Sequence, residues 1–144
     1  MMDLVDATKV VLADSFRLYL KAHYYHWNVE GPTFSSLHSL FSDVYTDLFE
    51  SVDKIAEEIR AMGHYAPGSF SRFSELSSIE DEIELISWQE MIRRLLEDIN
   101  TLQASMMRAY HLAEENMNHG LSNYLAERMD ALKKHSWMLK ATLK

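Results

Sequence analysis

Leu4, Val11, Leu12, Phe16, Leu18 and Leu20 keep returning to one side of a 3.6-residue spiral, which predicts an amphipathic helix from about Leu4 to Trp27. Gly31-Pro32 then ends it. A second apolar stripe, Phe34, Leu37, Phe41, Val44, Tyr45, Leu48, Val52, Ile55 and Ile59, predicts a helix capped by Thr33 and running to about Met62, with Gly63 as its stop. Two helices of this length joined by a short turn pack as an antiparallel pair. Between Gly63 and Ser87 the pattern loosens into HYAPGSFSRFSELSSIEDEIELIS, long enough to hold a short helix and cross the length of a bundle. Ser87-x-x-Glu90 reads as a capping box opening a third long helix through about Glu114, and Leu121 to Leu143 makes a fourth. The alternation expected of strands is missing, and only four Gly and two Pro interrupt 144 residues, so the expectation is one all-α domain over residues 1–144.

Composition narrows the chemistry. Twenty-two acids against fourteen Lys and Arg leave a formal charge of −8, a surface that repels polyphosphates. With no Cys, disulfides and thiolate metal sites are excluded, and any metal must be held by His, Asp and Glu. The opening MMDLVDATKVV has neither a basic nor an apolar signal segment, and no apolar run approaches a membrane span, so a soluble, cytoplasmic protein is expected.

The stretch His23 to His38, HYYHWNVEGPTFSSLH, sets histidines on both sides of the Gly31-Pro32 break. Either His26 or His38 alone is more often a hydrogen-bonded, partly buried residue than a ligand. Their combination with Asp53 and Glu57, one helical turn apart further on, shifts that balance, because imidazole and carboxylate together suit Fe or Zn. Four long helices with one crossover also describe a ferritin-like bundle, in which di-iron sites carry Glu-x-x-His pairs pointing inward. This chain has no Glu-x-x-His, so an iron site is not expected at the centre of one bundle. His38 and Asp53 lie fifteen residues apart on one expected helix, a rise of roughly 22 Å. One ion, with bonds of about 2 Å, cannot touch both. The two pairs therefore serve separate sites or meet across a subunit boundary, as a two-fold dimer would allow.

His26-Trp27-Asn28-Val29, Gly31-Pro32, Phe34 and Leu37-His38, followed by Asp53, Ala56-Glu57, Ile59-Arg60-Ala61 and Gly63, resemble the motif of the Dps family of mini-ferritins. Helix order and the terminal Trp137-Met138-Leu139 extend the likeness over nearly the whole chain. The resemblance implies a hollow dodecamer of four-helix subunits that takes up Fe(II), oxidises it preferably with hydrogen peroxide, and stores ferric mineral. It implies a ferroxidase centre at the dimer interface, with His26 and His38 from one subunit, Asp53 and Glu57 from the other, and Glu57 as the bridge between two irons. Trp27 would pack beside the centre and relay or absorb oxidising equivalents.

Two positions depart from the family pattern. Ser42 stands where an Asp is common four residues after the second His, and Asp43 lies about 100° further round the helix. One iron position is thus expected to be weaker, and the alternative reading is a metal-binding or structural helical oligomer with little turnover. Glu58 stands where Arg is common, a change expected to be peripheral. Iron entry implies acidic pores near the start of the last helix, where Asn118, His119 and Asn123 leave Glu127 and Asp130, with Glu114 and Glu115, as candidates that a solvated face explains equally well. His64, His111, His119 and His135 show no ligand spacing. Met91, Met106, Met107, Met129 and Met138 read as core filler, and Tyr24, Tyr25 and Tyr45 as packing residues. Neither end supplies a lysine-rich tail, so DNA binding is not expected.

Overall fold

The computed structural model describes residues 2–144, which form five helices: α1 Leu4–Asn28, α2 Phe34–Ala61, α3 Phe70–Leu76, α4 Trp88–Glu115 and α5 His119–Thr142. α1 packs on both α2 and α4, and α5 closes the square against α4 and α2. Every neighbouring pair is antiparallel. The crossover leaves α2 at one end of the bundle and enters α4 beside the α1–α2 turn at the other, so it traverses a helix length of about 40 Å. α3 lies on that crossover and packs on α1.

The expected apolar stripes fill the core, with Leu37, Phe41, Val44, Leu48, Ile55 and Ile59 of α2 buried against Val11, Leu18, Ala22 and Tyr25 of α1. Two members of those stripes fall outside it: Leu20 is 40% and Phe34 43% exposed. Asp3 caps α1 by accepting the Asp6 N–H at 2.8 Å. At Ser87 the hydroxyl accepts the Glu90 N–H at 3.2 Å, but Glu90 turns toward Arg93 and Arg94, so half of the expected capping box forms. Thr33 precedes α2 without a side-chain capping bond, because its backbone (φ −108°, ψ 29°) lies outside the extended region a capping residue needs. Gly63 stops α2 as expected: with φ +88° it completes a Schellman turn, Gly63 N–H to Arg60 O at 2.9 Å and His64 N–H to Ile59 O at 3.3 Å.

Buried polar anchors tie the crossover to the bundle. Asp14, wholly buried, accepts from the Ser77 hydroxyl at 2.8 Å, the Ser78 N–H at 2.6 Å and the Ser105 hydroxyl at 2.7 Å. Arg17 donates to Ile79 O at 2.6 Å. Each satisfies a group whose burial would otherwise be costly. Among the described residues no helix is long and apolar enough to cross a membrane.

Candidate metal centre

The site begins at the corner between α1 and α2. Val29, only 2% exposed, donates its N–H to Tyr25 O at 2.9 Å and plugs the end of α1. Gly31 then turns the chain with φ +134°, a conformation that side chains with a β-carbon rarely adopt. A β-carbon there would also stand 3.0 Å from Cδ1 of Trp88.

This corner brings His26 and His38 together. Their rings stack with centroids 3.7 Å apart and planes 17° from parallel. His26 Nδ1 lies 2.7 Å from the carbonyl oxygen of His38, and His38 Nδ1 lies 2.7 Å from the carbonyl oxygen of His26. A carbonyl can only accept, so each Nδ1 must carry the hydrogen and each neutral ring keeps its lone pair on Nε2. Metal-binding histidines use this division of labour, with one nitrogen tied to an acceptor and the other on the ion.

Beside the pair stands an aromatic cluster that joins Tyr45, expected from the sequence as a packing residue, to Trp27, expected beside the centre. His23 lies face to face with Tyr45 at 3.9 Å and 4.0 Å from Trp27, and its Nδ1 is 3.0 Å from the Tyr19 hydroxyl. Burial, and then the nearby charge of His26, lower the His23 pKa, so this ring favours its neutral form. Tyr45 also meets His26 edge-on at 5.1 Å. The role of His23 went unassigned because it is single; its i,i+4 spacing from Tyr19 on α1 was the available signal. Trp27 is 57% exposed.

Asp53 and Glu57 lie further along α2, both exposed. The hydrogen bond and then the charge of Asp53 raise the Glu57 pKa, the mark of two carboxyls close enough to share a proton and of a place where a cation is favourable. The Lys54 charge offsets this rise only in part; its Nζ sits 2.7 Å from Glu58, which occupies the position where the family pattern has Arg. Ser42 is half-buried one turn beyond His38. Among the described residues no three His, Asp or Glu side chains converge within one chain on a point where an ion would sit.

Of the remaining histidines and acids, some have local partners and the others lie on the surface. His135 donates Nε2–H to Asp47 at 2.8 Å, and His64 and His111 are exposed. Of the candidate pore residues, Asn118 caps α5 through Leu121 N–H at 3.3 Å, and Asp130 pairs with Lys133 at 3.1 Å. Exposed Glu114 is 3.9 Å from His119, while Glu115, Asn123 and Glu127 are exposed on the helix surfaces.

Known proteins place this architecture. The Ferritin family, a ferritin-like domain, matches residues 5–144. DNA protection during starvation protein 2 of Bacillus anthracis is 30% identical over 92% of this chain and 90% of its own length. Antigen TpF1 of Treponema pallidum is 33% identical over 92% of this chain and 76% of its own length. Among solved structures, the Dps protein of Bacillus brevis superposes with a TM-score of 0.94 at 29% identity, covering 98% of this chain and 95% of that one. The Dps protein of Vibrio cholerae O1, described as a member of a broad superfamily of ferritin-like diiron-carboxylate proteins, gives 0.93 at 29%, covering 98% and 89%. With an all-helical bundle of matching topology over nearly its whole length, the chain belongs to the Dps family of ferritin-like proteins.

Proposed function

We propose that this protein stores and detoxifies iron, oxidising Fe(II) with hydrogen peroxide at centres formed where two subunits meet. The carrying observation is the reciprocal lock of His26 and His38, which leaves an Nε2 lone pair on each ring. A nitrogen lone pair lies in its ring plane, and rings with centroids 3.7 Å apart and planes only 17° from parallel do not aim both lone pairs at one point within the ~2 Å of a metal–nitrogen bond. Each histidine therefore serves its own ion, and the ring spacing suits two ions held about 3.5–4 Å apart. Asp53 and Glu57 of a second copy supply the carboxylates, with Glu57 bridging. Leu20, Trp27, Phe34 and Phe49, each at least 40% exposed on α1 and α2, supply an apolar face for that copy to cover.

Two Fe(II) ions deliver two electrons to one peroxide, which with two protons becomes two waters, so no hydroxyl radical need leave the site. Oxygen ligands favour Fe(III) over Fe(II) and so drive oxidation. Trp27, tilted against His23 at 4.0 Å beside the pair, takes up stray oxidising equivalents. The product is held in a closed shell, a dodecamer, in the cytoplasm. A charge of −8 per chain, multiplied over an oligomer, makes DNA affinity negligible at physiological salt, in contrast to the activity in the names of several relatives.

The test is stopped-flow absorbance after anaerobic Fe(II) loading and addition of one peroxide per two irons. Fast ferric absorbance in the native protein, lost in an Asp53→Ala, Glu57→Ala variant, is expected. Equal slow rates in both would instead favour a metal-binding oligomer whose turnover Ser42 has cost.

A further inference from the structure

We infer that the segment from Glu82 to Trp88, at the end of the crossover and the start of α4, positions the His26–His38 pair, with Trp88 as its principal positioning residue. The inference rests on the reading that this pair binds metal. Two independent contacts carry it, one on each flank of His26. On the near side, Tyr25 donates its hydroxyl to Glu82 Oε1 at 2.8 Å, and Tyr24 donates to Glu84 O at 2.9 Å. Glu82 is itself fixed by Arg94 at 2.6 Å, and only 4% of its side chain is exposed. Burial pushes the Glu82 carboxyl up, but the bonds from Tyr25 and Arg94 outweigh burial and keep it an ionised acceptor. On the far side the indole of Trp88 covers Gly31, so closely that an added β-carbon would stand 3.0 Å from Cδ1 and 3.3 Å from Nε1.

Both histidine bonds span the corner that these contacts bracket. At 2.7 Å, neither survives a slip of about 1 Å between the end of α1 and the start of α2. With the bonds lost, nothing assigns the hydrogen to Nδ1, and Nε2 is no longer held ready for an ion. Trp88 therefore acts through the corner, without touching metal.

The experiment uses the full-length assembled protein and Co(II) as probe. Trp88→Ala should weaken Co(II) binding 10- to 100-fold, and Trp88→Phe, which keeps a flat ring over Gly31, should restore most of it. Leu132→Ala, a cavity in α5 remote from the corner, should lower the melting temperature with Co(II) affinity unchanged. Magic-angle-spinning spectra of 15N-histidine-labelled protein near pH 8, assigned with His26→Gln and His38→Gln, should show hydrogens on Nδ1 of both residues in the native protein and mixed tautomers in Trp88→Ala. Should the alanine variant not fold, Trp88→Leu is read in the same way. A Trp88 variant that loses stability yet keeps both tautomers and native Co(II) affinity would overturn the inference. If the native protein binds no Co(II), the metal reading fails, while the nitrogen spectra still decide whether Trp88 positions the pair.

Discussion

A histidine that lends one ring nitrogen to a carbonyl has a single nitrogen left to give, and at His26 and His38 the carbonyl in question belongs to the other histidine. Turning either ring breaks its own bond, and a shift of either backbone breaks the bond that the other ring makes to it, so the pair is held by side chain and backbone together. On the proposed reading Ser42, on the turn after His38, is the weak point: a neutral hydroxyl stands where a carboxylate would add a full charge beside an ion on His38. Ser42→Asp should therefore strengthen the second and weaker Co(II) step, by about tenfold for each 1.4 kcal/mol gained, and leave the first nearly unchanged in titration calorimetry. A second step that stays as weak as in the native protein would count against a His38 ion near this residue. Backbone geometry supplies another residue-level expectation. Met117 ends α4 at φ +55°, completing a Schellman turn with Met117 N–H to Glu114 O at 3.0 Å and Asn118 N–H to Ala113 O at 2.8 Å. A side chain in that conformation costs about 1 kcal/mol, and Met117 is 70% exposed, so little packing would be lost with it. Met117→Gly should raise unfolding free energy by about that amount in denaturant titration.

At the scale of elements, α2 meets α5 through a polar clamp. Asp47 of α2 receives Arg128 twice, at 2.7 and 2.9 Å, and His135 at 2.8 Å, both from α5 and seven residues apart on one face. Burial alone would raise the Asp47 carboxyl, but the bonds from His135 and Arg128 outweigh it and hold its pKa far below the usual carboxylate range. A depressed carboxylate stabilises the fold fully above its unfolded value of 3.8, and that contribution drains away as pH falls toward the folded value. Asp47→Asn should thus cost ~2–3 kcal/mol near neutrality, with the native and variant stability curves converging below pH 3.8. None of this clamp was legible in the sequence, where Asp47 lies 81 residues from Arg128 and 88 from His135. The helices themselves were, because a stripe repeated over seven turns states its period many times, and the ends of α1, α2 and α4 fall within a residue or two of their expected places. Of the corner, the motif residues were legible and the tautomer lock was not, since backbone carbonyls carry no residue signature. Trp88 escaped notice for a related reason: its contact with Gly31 joins the ends of a crossover whose path the sequence leaves open.

The whole molecule poses the remaining question, which is how a histidine pair at one end of α2 and a carboxylate pair fifteen residues along it can act together. Within one chain they do not converge. A two-fold dimer solves this by facing the histidines of one copy with the carboxylates of the other, twice, and that arrangement predicts complementation between two inactive proteins. A His26→Ala, His38→Ala chain keeps good carboxylates; an Asp53→Ala, Glu57→Ala chain keeps good histidines. Each should be inactive alone, because every centre in its homodimer would lack one half. In a mixed dimer one centre is doubly defective and the other is intact. Random pairing at equal expression makes about half the dimers mixed, so about one quarter of the native centres should return. Peroxide-driven Fe(II) oxidation measured on the co-expressed proteins should recover to that level, and should stay absent when the two are purified separately and mixed without dissociation. If co-expression restores nothing while the mixed oligomers form, the centre does not lie across the subunit boundary, and the two pairs bind their ions independently.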